Sequence, residues 1–291
     1  MELIPRSIEI LILVEDYAGF TPLLGEHGLS ALMTLYYDDD VRKVLFDVGG
    51  SGRALLVNVR DLKVSLSDVD VIVLSHRHYD HTGSLPKLVE VLKGKPLIAH
   101  PALTRPCFYI SSKLIKLDVG LPTEARRALK EFELLLIKEP LEVAPGVWFL
   151  GEVERFYDDS YAVKNFKTIV SGNVVDDVIP DDSGLAIKME DKVVVLTGCS
   201  HSGILNIVRQ AKNVTGVSRA IIIGGLHLIN VDDDVLNDVV NKLVVEGVEE
   251  VYVGHCTGLK GESELLKKFK GKMHKLHSGY KVRLSSRHVS R

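Results

Sequence analysis

The sequence lacks the features that mark secreted and membrane-spanning proteins. Only three of its 291 residues are cysteines (Cys107, Cys199 and Cys256), an odd number at wide spacing that excludes a disulfide framework. No apolar stretch approaches the roughly 20 residues of a membrane span, and the N-terminal apolar run is closed by Glu15 and Asp16. We therefore expect a reduced, cytoplasmic protein that does not associate with a membrane.

The sequence also lacks a large excess of either charge sign, and aromatic residues are few. The chain carries 36 Lys and Arg against 39 Asp and Glu, and aromatic residues make up 6% of it. Sequence-independent nucleic-acid binding needs a basic stripe interleaved with aromatic residues. Residues 260–291 are fairly basic but show an amphipathic pattern instead. We expect no nucleic-acid partner, and the sequence leaves the oligomeric state open.

Apolar residues, in contrast, are plentiful enough for a sizeable core. They make up 46% of the chain, whose length fits one domain over residues 1–291. Apolar runs and turn residues predict strands at 8–14, 30–37, 41–47, 69–74, 96–99, 146–150, 183–189, 192–196, 220–223, 249–253 and 280–284. Amphipathic runs predict helices at 54–60, 85–92, 123–132, 204–211, 234–246 and 263–269.

Two stretches in opposite halves of the chain share one design. VIVLSHRHYDHTGSLPKLVEVL and VVVLTGCSHSGILNIVRQA each hold an apolar strand, a polar turn with His and Gly, and an amphipathic helix. Two similar halves with helices outside their sheets predict an α/β fold, an αββα sandwich with sites at the carboxyl ends of strands. Residues 101–142 give weaker patterns, and we interpret them as an inserted cap over one face.

Basic residues of this predicted cap offer one way to bind a substrate. They could pair with an anionic group on a small molecule, or they could form a solvated basic face. We expect a small, anionic substrate. The residues concerned are Lys113, Lys116, Arg126, Arg127 and Lys130.

The first polar turn concentrates potential metal ligands. His76, His78, Asp80 and His81 lie within six residues, directly after the apolar run VIVL and Ser75. In an extended strand, residues i and i+2 point the same way, so His76 and His78 would face one cavity. Imidazole and carboxylate ligands suit Zn²⁺, Fe or Mn better than Ca²⁺ or Mg²⁺. A solvated polar turn is the alternative, but imidazoles held this close would repel each other when protonated.

This turn resembles the H-x-H-x-D-H motif of the metallo-β-lactamase superfamily. The strand end LFDVG before it is similar to that superfamily's Asp-x-Gly. TGCSHSGILNIV, GGLHL and HCTG resemble a branch that includes archaeal dihydropterin ribofuranosylaminobenzene phosphate synthases. The resemblance implies two divalent transition-metal ions, with Zn²⁺ favoured over Fe or Mn. His76 and His78 would hold one ion, and Asp80 with His81 would hold the second.

Further ligands are expected at the ends of later strands. His201 lies in the second polar turn, and pseudo-symmetry predicts that it completes the first ion's ligand set. The alternative is that His201 contacts a ligand residue and not the ion. His255 follows the strand in VYVGHCTG, and the resemblance implies that it closes the second ion's set. His227 could close the second ion's ligand set in place of His255, although we favour a contact between His227 and the substrate.

One position departs from the superfamily's pattern. Members often place an aspartate between the two ions at the strand end that is Gly198-Cys199 here. Cys199 could bind an ion, as a cysteine does in some zinc β-lactamases, or it could be a small buried residue. Asp182, or its neighbour Asp181, could supply a carboxylate or lie in an exposed turn. The identity of the bridging ligand therefore stays open.

The ligand set predicts the chemistry. Two cations with open positions lower the pKa of a bridging water, and the metal-bound hydroxide would attack a phosphate ester or a similar small molecule. Asp80 would be catalytic, orienting the water and accepting its proton. The resemblance adds an alternative, a transferase that joins a pterin to an aminobenzene ribosyl phosphate. A degenerate member that only binds a ligand is the third interpretation, and the complete first turn argues against it.

Overall fold

Two large β-sheets form the centre of the protein. The structure is a computed structural model, and it describes residues 3–110 and 117–286. The first sheet has seven strands, which are β1 (Ser7–Val14), β2 (Ser30–Tyr36), β3 (Val41–Phe46), β4 (Val71–Val73), β5 (Pro96–Ala99), β8 (Glu133–Leu136) and β18 (Lys281–Ser285). Their spatial order is β18-β1-β2-β3-β4-β5-β8. Strands β3, β4, β5 and β8 are parallel to one another, and the remaining neighbours pair antiparallel.

The second large sheet also has seven strands, in the order β17-β16-β15-β14-β13-β10-β9. They are β9 (Leu141–Ala144), β10 (Val147–Phe149), β13 (Gly184–Lys188), β14 (Val193–Thr197), β15 (Ala220–Gly225), β16 (Val248–Gly254) and β17 (Met273–Lys275). Strands β14 to β17 are parallel. A third, antiparallel sheet contains β6 (Phe108–Tyr109), β7 (Leu117–Asp118), β11 (Phe166–Val170) and β12 (Asn173–Asp176).

Helices cover the outer face of each large sheet. The helices of the described residues are α1 (Arg53–Asp61), α2 (Tyr79–Thr82), α3 (Leu85–Leu92), α4 (Thr123–Ala128), α5 (Ser160–Val163), α6 (Ile204–Thr215), α7 (Asp233–Val245) and α8 (Gly258–Phe269), and the short α2 is part of the first polar turn. One buried apolar cluster lies between the sheets and includes Phe46, Phe149 and Ile223. Separate clusters join α1, α3 and α4 to the first sheet and α6, α7 and α8 to the second. The predicted αββα sandwich is confirmed.

No helix within residues 3–110 and 117–286 has the length and apolar character that a membrane crossing requires.

The described part of the segment predicted as a cap, residues 101–110 and 117–142, is distributed over the sandwich instead of forming one unit. Strand β8 extends the first sheet, β9 extends the second, and α4 packs in the outer helix layer. The sequence ELLL of β8 shows no alternation of polar and apolar residues, so its pattern does not distinguish an edge strand from a loop. The layer that borders the site is the third sheet, which combines short strands from distant parts of the chain.

Polar residues gather where the parallel strands end. His76 lies just beyond β4, Cys199 beyond β14 and His227 beyond β15, and His255 directly follows β16. The backbone bends sharply at several of these points, since φ is 52° at Asp47, 46° at His227 and 47° at His255. Non-glycine residues adopt such angles at an energetic cost of about 1–3 kcal/mol, so the surrounding contacts must hold them.

Gly28 allows the loop before β2 to pass close to the first polar turn. A Cβ at this position would lie 2.2 Å from the Asp80 carbonyl oxygen, and φ at Gly28 is +136°. The Leu29 N–H donates a hydrogen bond to the same oxygen over 3.3 Å. Substitution of Gly28 must therefore displace the turn that carries Asp80.

Gly28→Ala should lower the free energy of unfolding by about 3 kcal/mol, through strain at positive φ and overpacking against Asp80. Gly172→Ala is the matched control, because Gly172 also has a positive φ (+81°) but no atom within 4 Å of its would-be Cβ. We expect the control to lose about 1 kcal/mol. Urea denaturation measures both values, and equal losses would show that the close approach at Asp80 imposes no constraint.

Candidate metal centre

The carboxyl ends of the strands border a cavity of about 440 Å³. Imidazole, carboxylate and thiol groups line it, together with Tyr109 and Phe166 of the third sheet. Among the described residues, four sets of such groups have potential ligand atoms within 4.8 Å of one another. Two of these sets contain the metal ligands expected from the sequence.

The first ligand group consists of His76, His78 and His201. Their ring centres lie 4.5 to 5.1 Å apart. The Nδ1 atom of His76 lies 2.9 Å from Ser75 Oγ, and the Nδ1 atom of His201 lies 2.8 Å from the Ala162 carbonyl oxygen. The Nε2 atoms of His76 and His201 are buried and have no hydrogen-bond partner within the described part of the chain. Converging buried nitrogens of this kind fit a bound cation.

Burial also sets the protonation of the first ligand group. It lowers the pKa of His76, His78 and His201 well below the usual histidine value. Neighbouring imidazoles lower the pKa of His76 and His201 further. A neutral imidazole presents a lone pair, which is the form that binds metal ions. The first ligand group therefore fits a cation in both geometry and charge.

The second ligand group consists of Asp80, His81, Cys199 and His255. The Nε2 atoms of the two histidines lie 3.2 Å apart, and Cys199 Sγ lies 3.3 Å from that of His81 and 3.2 Å from that of His255. Asp80 Oδ2 lies 3.4 and 3.3 Å from the same two nitrogens. Ligands at about 2.0–2.3 Å from a tetrahedral zinc ion lie roughly 3.3–3.8 Å apart. The four atoms are thus spaced nearly as a tetrahedral coordination shell requires.

Carboxylates behind the second ligand group orient its imidazoles. Asp47 Oδ2 lies 2.7 Å from His81 Nδ1, and Asp16 Oδ1 lies 2.7 Å from His255 Nδ1. Metal-binding histidines are commonly fixed in this way. Glu15 accepts a hydrogen bond from the backbone N–H of His255. Asp47 lies in the motif LFDVG, whereas no motif marks Glu15 and Asp16 as site residues, although both directly follow β1 as the other site residues follow their strands.

These carboxylates also influence the pKa values of the second ligand group. Burial opposes a charge on His81, but Asp80 and Asp47 outweigh it and raise the pKa of His81 to about 9. Burial is likewise outweighed at His255, whose pKa is raised by Cys256, Asp16 and Asp80. At Asp80, His81 and His255 outweigh burial and hold the pKa well below its usual value. A cation would take the place of the imidazole protons, because metal-bound imidazole is neutral.

Cys256 and His227 extend the cluster beyond the expected ligands. Together with Cys199 they form another of the four sets. The backbone N–H of His227 donates to Cys256 Sγ over 3.3 Å, and His227 Nδ1 is buried without a partner in the described ranges. The His227 ring lies 4.1 Å from that of His201 and borders the cavity. His227 therefore lies beside the first ligand group, and Cys199 lies among potential ligands instead of in an apolar core.

Asp182 is not a member of any of these sets. Its Oδ2 accepts hydrogen bonds from the Ser202 N–H at 2.8 Å and the Ser202 hydroxyl at 2.5 Å. Asp181 and Asp177 both pair with the fully buried guanidinium of Arg77. Asp181 and Asp182, the two candidates for a metal-binding carboxylate, are therefore both buried in hydrogen-bond networks next to the ligand groups, and neither lies in an exposed turn.

The described basic residues of the predicted cap do not border the cavity. Arg126, Arg127 and Lys130 are exposed on α4 and the turn after it, because the apolar side of α4 packs on the outer helix layer. Lys113 and Lys116 lie outside the described residues. The structure therefore gives no support to an anion site formed by α4.

Comparisons with known proteins agree with this arrangement of ligands. The profile of the metallo-beta-lactamase superfamily matches residues 28–205. The chain is 33% identical over 285 residues to the 7,8-dihydropterin-6-methyl-4-(beta-D-ribofuranosyl)-aminobenzene-5'-phosphate synthase of Methanocaldococcus jannaschii. That alignment covers 94% of this chain and 95% of the relative.

Two solved structures share the fold. Tm1679, a metal-dependent hydrolase of the beta-lactamase superfamily, superposes with a TM-score of 0.80 at 26% identity, over 96% of this chain and 100% of that chain. The metallo-beta-lactamase fold protein YhfI from Bacillus subtilis superposes with a TM-score of 0.56 at 15% identity over the same shares, a likeness of fold alone. The profile match and the extent of the Methanocaldococcus alignment show that this chain belongs to the metallo-β-lactamase superfamily.

Proposed function

We propose that the protein is a metal-dependent hydrolase that cleaves a phosphate ester or a similar bond in a small molecule. The observation that carries this proposal is the pair of adjacent, buried ligand groups that open onto one cavity of about 440 Å³. Each group would hold one divalent ion, and the imidazole and thiol ligands suit Zn²⁺ over Fe or Mn. Bound ions would polarise the scissile group and make a water acidic near neutral pH.

Asp80 is the residue that we propose as catalytic. It borders the cavity, and its Oδ2 lies 3.5 Å from His27 Nε2 in addition to its contacts within the second ligand group. A carboxylate in this position can orient a water molecule and accept its proton. His27 is partly exposed, and its Nδ1 lies 2.8 Å from Asp16 Oδ2. It is therefore placed to carry a proton from Asp80 towards solvent.

Aromatic side chains shield the first ligand group from water. Phe166 stacks on His78 with ring centres 5.2 Å apart and meets the ring of His201 at the same distance. Tyr109 packs against Phe166 from the neighbouring strand. An apolar cover strengthens the electrostatic interactions beneath it, because it excludes water from the reacting groups.

A transferase reaction is the second candidate, and the Methanocaldococcus relative favours it. That protein is named as a synthase. The product in its name contains a dihydropterin joined to an aminobenzene ribosyl phosphate. Joining two organic partners requires that water be kept out, and a flat ring suits an apolar slot with a few polar anchors. The shield of Tyr109 and Phe166 provides such a slot. We rank hydrolysis first because the two ligand groups account for it without a second organic substrate.

Removal of two ligands of the first group should remove most of the bound metal. Wild-type protein purified without chelator should hold about one to two equivalents of Zn, Fe or Mn per chain. The double variant His76→Ala with His78→Ala should hold less than half of that amount, as measured by elemental analysis. His274→Ala with His277→Ala is the control, because neither residue belongs to a ligand set, and it should retain the metal. Full retention in the first double variant would refute the assignment.

Asp80→Asn should impair catalysis far more than folding. The variant keeps the shape of the side chain but removes the charge that orients the water, and such losses lower kcat by about 10²- to 10³-fold. We expect this reduction for bis-nitrophenyl phosphate with metal in excess, together with a thermal midpoint close to that of the wild type. A near-normal rate would show that Asp80 takes no part in the reaction.

Product analysis separates hydrolysis from coupling. We expect slow, metal-dependent hydrolysis of bis-nitrophenyl phosphate by the wild-type protein. The second assay supplies a dihydropterin with a leaving group on its 6-methyl carbon together with the aminobenzene ribosyl phosphate. A coupled product without phosphodiester hydrolysis would reverse our ranking. In that case His227→Ala should abolish coupling and leave the metal content unchanged.

A further inference from the structure

One wall of the cavity is apolar, and it lies beside the first ligand group. Tyr109 and Phe166, two of the four Phe and Tyr residues that line the cavity, lie opposite each other on β6 and β11, and their rings meet edge to face with centres 5.2 Å apart. Leu117 and Val119 continue this apolar wall. Such a surface favours a planar, apolar or aromatic part of a ligand.

Lys164 is the one Lys or Arg that borders the cavity within the described residues. It directly follows α5, and its side chain is exposed and has no hydrogen bond or ion pair within the described part of the chain. The cavity's two carboxylates are already engaged, since Asp16 contacts His27 and His255, and Asp80 lies in the second ligand group. The ammonium group is therefore free to bind an anion.

Two amide side chains accompany this cation. Asn165 and Asn230 also border the cavity, and no hydrogen bond of either side amide occurs within residues 3–110 and 117–286. Both residues adopt left-handed backbone angles, with φ of 73° and 60°. Amide N–H groups beside an ammonium can donate additional hydrogen bonds to the oxygens of an anion.

We propose that Lys164 anchors an anionic group, a phosphate or a carboxylate, on a ring-bearing substrate at a point away from the bond that reacts. The ring would lie against the wall of Tyr109 and Phe166, and Asn165 and Asn230 would donate to the anion. The inference deepens the proposed function and rests on it only for the position of the reacting bond. The charge-assisted contact gives Lys164 the anion-binding role that is one of the two interpretations of the basic residues in the predicted cap.

A binding experiment tests this role without requiring turnover. Isothermal titration calorimetry would compare thymidine 3′,5′-bisphosphate with thymidine 5′-phosphate, which differ by one phosphate, on the metal-loaded full-length protein. Wild-type protein should bind the bisphosphate roughly tenfold more tightly, the factor expected for one charge-assisted contact. Lys164→Ala should reduce this ratio of dissociation constants to about one, and Lys164→Arg should retain most of it.

Lys167→Ala is the matched control. Lys167 lies three residues away on β11, pairs with Asp176 and does not border the cavity. It should leave the ratio at the wild-type value. A wild-type ratio of one, or an unchanged ratio in Lys164→Ala, would overturn the proposal. If the ratio depends on Lys164 while no substrate is hydrolysed, the anion site stands and the proposed hydrolase function falls.

Discussion

The site depends on buried nitrogen atoms that the protein itself does not satisfy. The Nε2 atoms of His76 and His201 are buried and lack a partner among the described residues, whereas their Nδ1 atoms are held by Ser75 and Ala162. An unsatisfied buried polar group costs about 1–3 kcal/mol. Burial also lowers the pKa of His76 and His201, so both imidazoles stay neutral. Their unpartnered Nε2 atoms are therefore not stabilised by protonation. A cation among the three histidines would satisfy the free nitrogens together.

The same constraint explains why the site needs both halves of the fold. The first ligand group takes His76 and His78 from the strand ends of the first sheet and His201 from those of the second. The second ligand group combines Asp80 and His81 with Cys199 and His255 in the same way. The apolar core between the sheets, which includes Phe149 and Leu196, holds these strand ends in register. Packing between the halves thereby positions both groups.

The sequence predicts the floor of the site far better than its walls. The spacing of His76, His78, Asp80 and His81 after one buried strand is a local pattern, and every later ligand follows an apolar strand in the same way. The third sheet is different, because Tyr109 and Phe166 pair across more than 50 residues on short strands without periodicity. The edge strand in the predicted cap shares this lack of pattern. Asp16 also follows a strand, but local spacing does not show that it contacts His255 in a distant segment.

Anomalous X-ray diffraction from crystals of the metal-loaded protein, recorded on both sides of the zinc absorption edge, tests the two ligand groups most directly. We expect two anomalous peaks. One should lie among His76, His78 and His201, and the other among Asp80, His81, Cys199 and His255. Loaded crystals without a peak among the three histidines, or with metal only at Cys199, His227 and Cys256, would contradict this assignment.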